Sequence, residues 1–316
     1  MALERAGCAV SSYAAFEIDK FARAISRHNC PDITQHGDVM HADFRQFRGY
    51  DLVMGGSPCT FWSIAKANRE VDKTGMGWAL FMRFVEAIRE VQPRYFLYEN
   101  VASMPAAIKQ FISEELGCEP VMINSALVSV QQRKRLYWTN IPVGMQPIDQ
   151  GILLRDVLEP AMLPLREKSQ TLYANLYKVN ASNSIKHKDF GLIACKPVRV
   201  GQIGKGGQGG RVYSVQGKTV ALTANGGGRG GKTGLYKIDL PDGDYIIRKL
   251  TPIEAERCQT LPDDYTAHGV DDNGKEVKIS NTQRYKGIGN GWTVDVIAHI
   301  LKNMEVESHA LCARAP

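Results

Sequence analysis

Apolar residues recur along the first 140 positions in two alternating rhythms. Short apolar runs at 13–16, 52–54, 95–98 and 121–123 read as strands. Between them, 20–28, 76–91 and 106–116 carry apolar positions at helical spacing. In the second of these, Leu80, Phe81, Phe84, Val85, Ile88 and Val91 fall on one face. Alternating strands and helices predict an α/β protein on a doubly wound, mostly parallel sheet. Glu17, Cys59 and Glu99 each follow one of the strand-like runs. Ligands of open α/β sheets bind beyond the carboxyl ends of the strands, so these side chains are expected at one edge.

The pattern changes after about residue 160. Residues 199–234 are rich in glycine and basic side chains and read as loops. They suit either a flexible surface linker or a clamp on phosphates, with Lys205, Arg211, Arg229 and Lys232 as the charges. Order returns at 245–250, in a helical pattern at 252–259 and in a last helix at 293–304. The expected division is one unit of 1–158 with 284–316, and a smaller, loop-rich unit of 159–283.

Composition narrows the class. With 316 residues and 44% hydrophobic side chains, the chain can build one or two full cores. No apolar run approaches the roughly 20 residues of a membrane helix, and the start has no signal-peptide core. A cytoplasmic protein without a membrane partner is the expectation. The seven cysteines are odd in number and form no Cys-x-x-Cys pair, which argues against a disulfide framework or a bound metal. The net charge of +6 permits a polyanionic partner without establishing one.

Candidate chemistry starts at Gly55-Gly56-Ser57-Pro58-Cys59, a strand running into a stiff turn that presents a cysteine. Further motifs follow: Tyr98-Glu99-Asn100-Val101, Gln131-Gln132-Arg133-Lys134-Arg135, the stretch from Leu250 to Gln259, and Gly287-Ile288-Gly289-Asn290-Gly291. In this order they resemble the cytosine-C5 DNA methyltransferases over nearly the whole chain, apart from the variable stretch near 160–245. The resemblance implies S-adenosylmethionine as methyl donor, double-stranded DNA as partner and a monomer.

It also implies roles. Cytosine C5 is a poor nucleophile, and a thiolate adding at C6 makes it reactive. Cys59 would be that nucleophile. Glu99 would contact N3 and the exocyclic amine as an acid. Arg135 would contact the base, and Arg133 would support the active-site loop; two apart on an extended segment, they are expected on one face. The target base must leave the duplex to reach Cys59. Residues 60–77 would be the loop that closes over it, with Trp62 and Ser63 lining it or simply packing. Glu17 would bind ribose hydroxyls and Asp38 would lie near the adenine amine. Pro58 and Asn290 would complete the cofactor pocket. The unit 159–283 would recognise the target.

One family feature has no counterpart. The ribose-binding acid normally follows a glycine-rich loop by about 20 residues, and counting back from Glu17 passes Met1. A sheet without its central first strand, with two edges unpaired, is the expectation. Gly291-Trp292 also replaces the usual small polar residue after Asn290. Two rival readings are an RNA (tRNA) cytosine-5 methyltransferase and a DNA-binding remnant without catalysis.

Overall fold

The computed structural model describes residues 1–64, 68–159, 197–204, 208–222, 234–239 and 245–304. The chain opens with a short helix α1 (Ala2–Arg5), strand β1 (Tyr13–Ala15), helix α2 (Lys20–Asn29) and strand β2 (Ile33–Gln35). Next come β3 (Leu52–Gly55), α3 (Met76–Val91), β4 (Tyr95–Val101), α4 (Ala106–Leu116) and β5 (Val121–Asn124). Two strands, β6 (Gln131–Gln132) and β7 (Lys134–Thr139), complete this part.

The main sheet has the order β3-β4-β7-β5. Strand β3 runs parallel to β4, and β7 is antiparallel to both β4 and β5. Three strands therefore share one direction and β7 opposes them. Period-two alternation sends neighbours to opposite faces. Tyr98 and Trp138 pack with Phe81, Phe84, Ile108 and Ile112 of α3 and α4. Leu97 and Tyr137 pack on the other face, where a C-terminal helix lies.

The sheet is not continuous. Strands β1 and β2 form a separate parallel pair. Among the described residues, β1 pairs only with β2, and β3 only with β4. The two pieces still share a core: Ala14 and Phe16 pack in one cluster with Phe44, Phe47 and Val53 of β3. Among the described residues, no strand pairs with both β1 and β3.

A second sheet is built from β8 (Arg199–Gln202), β9 (Arg211–Ser214), β11 (Leu235–Asp239) and β12 (Tyr245–Arg248), in the order β12-β11-β9-β8. Strand β10 (Thr219–Val220) crosses back to pair with β6. The buried Lys218 beside it donates to the carbonyls of Ala126 (2.8 Å), Ser129 (3.2 Å) and Ile152 (2.7 Å). A buried ammonium with this many acceptors pins the second sheet to the first part of the chain.

Helix α5 (Pro252–Cys258) starts at a reciprocal cap, with Thr251 and Glu254 each satisfying the other's backbone N–H. The hairpin of β13 (His268–Val270) and β14 (Glu276–Lys278) leads to α6 (Asn281–Asn290) and α7 (Val294–Leu301). Ile279 joins Ala24 and Ile25 of α2 in a small core, so the stretch after β12 packs on the first part of the chain. No helix among the described residues is long and apolar enough to cross a membrane.

Two expectations need correction. Glu99 and Asn100 lie inside β4, not beyond it, because β7 pairs with β4 as far as Val101. Residues 281–290, for which the sequence pattern predicts no helix, form α6, and Asn290 is its last residue. Lys205, Arg229 and Lys232 lie outside the described residues; Arg211 is exposed at the start of β9.

Candidate active site

The Pro-Cys turn is clamped from the strand beside it. Tyr98 donates its hydroxyl to Ser57 Oγ at 2.8 Å, and Asn100 Nδ2 donates to the Ser57 carbonyl at 3.1 Å. Burial pushes the Tyr98 phenol up to about 12 despite its bonds to Ser57, so it stays a proton donor. Ser57 in turn donates to the Gly77 carbonyl at 3.0 Å. Gly56 lets the turn press on β4: a Cβ there would meet the Glu99 carbonyl oxygen at 2.7 Å. Pro58 then caps a short 3-10 turn that begins at Cys59. Cys59 is a free, half-buried thiol.

Behind this turn, Glu70 accepts from the Gly77 N–H at 3.0 Å, at the start of α3. Side chains at Gly75 or Gly77 would collide with the Glu70 carboxylate. Trp62 is fully buried in the α3–α4 core, which makes it a packing residue and not a lining one.

Glu99 is 92% buried, with a relative exposure of 8%. It points to the face of β4 opposite Tyr98. Arg135 faces Val101 across the ladder, and Tyr137 faces Glu99. Arg135 is thus a diagonal neighbour of Glu99 on one face, and its Nε lies 2.8 Å from Oε1. That contact is a charge contact only, since Oε1 accepts no hydrogen bond among the described residues. Oε2 accepts from the Trp292 indole at 3.0 Å.

Arg133 falls in the break between β6 and β7. Its guanidinium is buried and donates to the carbonyls of Leu222 (3.1 Å), Gly289 (3.3 Å) and Gly291 (3.0 Å). None of these lies in 60–77, and the side chain is not presented beside Arg135 toward a phosphate. Burial, with Arg135 second, pulls its pKa down to about 10, so it stays charged at neutral pH. Gln259 secures the same segment, donating to Ile288 (2.8 Å) and Gly291 (3.2 Å).

Glu17 and Asn290 meet at one pocket, together with Asp19, Phe21, Lys286 and Gly291. Glu17 Oε1 accepts from the Asp19 N–H at 2.8 Å. Asp19 caps α2 through the N–H groups of Phe21 and Ala22, and it pairs with Lys286 of α6. An acid, an aromatic ring and small residues suit a ribose and an adenine. Asp38 and Pro58 do not line this pocket. Asp38 caps its own 3-10 turn, accepting from the Met40 N–H at 2.9 Å. Among the described residues, no cluster of His, Cys, Asp and Glu could hold a metal ion.

A family model described as C-5 cytosine-specific DNA methylase matches residues 1–306. The Type II methyltransferase M.HhaI of Haemophilus parahaemolyticus is 26% identical, covering 96% of this chain and 90% of its own. The Type II methyltransferase M.NlaX of Neisseria lactamica is 25% identical, covering 94% and 90%. In fold, the chain is similar to the Entamoeba histolytica methyltransferase EhMeth, at a TM-score of 0.60 and 13% identity, over 96% of this chain and 92% of that one. The S. pombe Dnmt2 methyltransferase follows at 0.57 and 15%, over 95% and 93%.

Proposed function

The chain belongs to the C-5 cytosine-specific DNA methylase family, and we propose how its own residues divide the methylation of cytosine at C5. Cys59 is the nucleophile. Its thiolate adds at C6, which turns C5 into a carbon that attacks a methyl electrophile; a base then takes the C5 proton, and the C6–S bond breaks to release the thiolate and restore the C5=C6 double bond. Glu99 receives N3 and the exocyclic amine, and Arg135 holds the base beside it. S-adenosylmethionine supplies the electrophilic methyl when bound. Glu17 takes its ribose hydroxyls, and Asn290 closes the far wall of that pocket.

One observation carries this reading. The turn bearing Cys59 is latched by Tyr98 and Asn100 of the strand that also carries Glu99. Nucleophile and acid are thereby fixed to one rigid element, and Glu99 keeps a buried oxygen that no hydrogen bond satisfies. Such an acceptor costs about 1–3 kcal/mol when left unmet. An amine donor from a bound base would supply what it lacks.

Arg133 acts differently from the role the resemblance implied. It binds the carbonyls around Asn290 and Leu222, and so braces the turn that closes the pocket. Recognition of duplex DNA falls to the region 159–283, whose own sheet is β8, β9, β11 and β12. Within that region, 251–283 docks on the catalytic part through α5 and the β13–β14 hairpin. The bacterial relatives M.HhaI and M.NlaX suggest a type II modification role in the cytoplasm.

Transfer of tritiated methyl groups from S-adenosylmethionine to duplex DNA and to tRNA tests the substrate. Label in DNA, converted to a sequence by bisulfite reads, is the expected result. Label confined to tRNA would overturn the DNA reading, and label in neither would overturn the enzyme reading for this chain.

A further inference from the structure

Glu99 must present one carboxyl face to a base, yet the last torsion of a glutamate is soft and broadly distributed. A single charge contact from Arg135 does not fix that torsion. The second contact comes from 193 residues away, where Trp292 Nε1–H donates to Oε2 at 3.0 Å. We propose that Trp292 is a positioning residue that fixes the carboxyl plane of Glu99 for the incoming base. The proposal rests on the methyltransferase reading above and deepens it.

The fold makes this contact inevitable once Trp292 is present. Alternation along β4 sends Leu97 and Glu99 to the face covered by α7, while Tyr98 and Asn100 go to the α3 face. Trp292 lies two residues before α7 and packs in the same cluster as Leu97 and Tyr137. Its backbone has little freedom. Arg133 and Gln259 both bind the Gly291 carbonyl, and the next residue, Thr293, bonds Gln259 at 2.7 Å and Ser125 at 2.9 Å. An indole on so constrained a turn delivers its N–H to one place.

The consequence is a division of labour between the two oxygens. Oε2 already accepts from Trp292, whereas Oε1, in charge contact with Arg135, accepts no hydrogen bond among the described residues and is the oxygen with capacity for the amine of the base. Trp292 also sits two residues past Asn290, a residue of the cofactor pocket. The acid is therefore referenced to the same turn that borders the cofactor, and the two substrates are aligned through one short segment.

Trp292→Phe removes the N–H and keeps the ring. Its kcat for methyl transfer to duplex DNA is expected to fall about 10- to 100-fold, the scale of loss when a group that contacts the reacting base is misplaced. Its KM for S-adenosylmethionine should stay within about threefold, since Phe preserves the packing. A second readout is independent of turnover. Of the indole N–H resonances, the one that Trp292→Phe deletes should be the one that Glu99→Gln shifts. An unchanged kcat, a loss of rate that appears only in KM, or a Trp292 resonance indifferent to Glu99→Gln overturns the proposal. A wild-type chain that methylates no DNA overturns the functional reading and this proposal with it. That outcome is read from the wild-type arm alone.

Discussion

At Gly56 a single hydrogen atom decides whether the turn that carries Cys59 can sit against β4. A methyl there would lie 2.7 Å from the Glu99 carbonyl, a backbone oxygen that cannot move without disturbing β4. Gly55 is also tight, but the neighbouring atoms belong to the Phe84 ring, which can rotate. Gly56→Ala is therefore expected to destabilise by about 1–3 kcal/mol, as overpacking does, and to lower transfer by displacing Cys59 from Glu99. Thermal unfolding and kinetics measured together check this. A variant with wild-type rate and stability would show that the turn does not press on β4. Residue by residue, local motifs in the sequence mark Cys59, Glu99 and Arg135 as candidates, and the structure sets Arg135 beside Glu99. Trp292 was noted in the sequence only as a departure from the family's small residue. Its partner is 193 positions distant, and no local pattern encodes such a contact.

Among the elements, α2 and α6 form the walls of the pocket that holds Glu17 and Asn290, and the Asp19–Lys286 pair ties them. Burial alone would raise the Asp19 carboxyl, but Lys286 and the N–H groups of Phe21 and Ala22 outweigh it and hold it below the usual range. A depressed carboxyl stabilises the fold above its unfolded pKa of about 3.9 and loses that contribution as pH falls through the folded value. Lys286→Gln is thus expected to unfold at a lower temperature than wild type at pH 7. The gap should shrink as pH drops below about 4. Melting curves across pH check it; a gap that is constant or grows on acidification would mean the pair does not tie these helices. Helices α3 and α4 match the periodic pattern residue for residue, because their apolar faces pack on the sheet over several turns. Helix α6 was missed. Gly287, Gly289 and Asn290 are weak helix formers, and its stability comes from contacts with Arg133, Gln259 and Glu256, all remote in sequence. The end of β4 was misplaced for a similar reason: β7 extends pairing past Tyr98.

Across the whole molecule, the division of the sheet sets where the fold is weak. Strand β4 is paired on both sides, whereas β1 and β3 each have one neighbour among the described residues. Local opening is easiest where contacts are fewest. Amides of β1 and β2 are expected to exchange with solvent well before those of β4 in native-state hydrogen exchange. Equal protection across the gap would mean the two pieces open as one unit. Motif spacing around Glu17 is a property of the sequence and carries the expectation about the strand beside β1; among the described residues, β1 pairs only with β2. How the two pieces remain joined, through Phe16, Phe44, Phe47 and Val53, was not legible there, because aromatic packing between separate loops has no sequence period.

The claim that unites these scales is covalent attack by Cys59 on cytosine in DNA. A pool of duplexes carrying 5-fluorocytosine tests it, because fluorine at C5 cannot depart as a proton does and the adduct at C6 persists. With S-adenosylmethionine present, the wild-type chain should form a denaturant-resistant complex with the duplex, with the nucleotide mapped by mass spectrometry to the peptide containing Cys59. Cys59→Ser should form none. An adduct mapped to another residue, or one that survives in Cys59→Ser, would contradict the account.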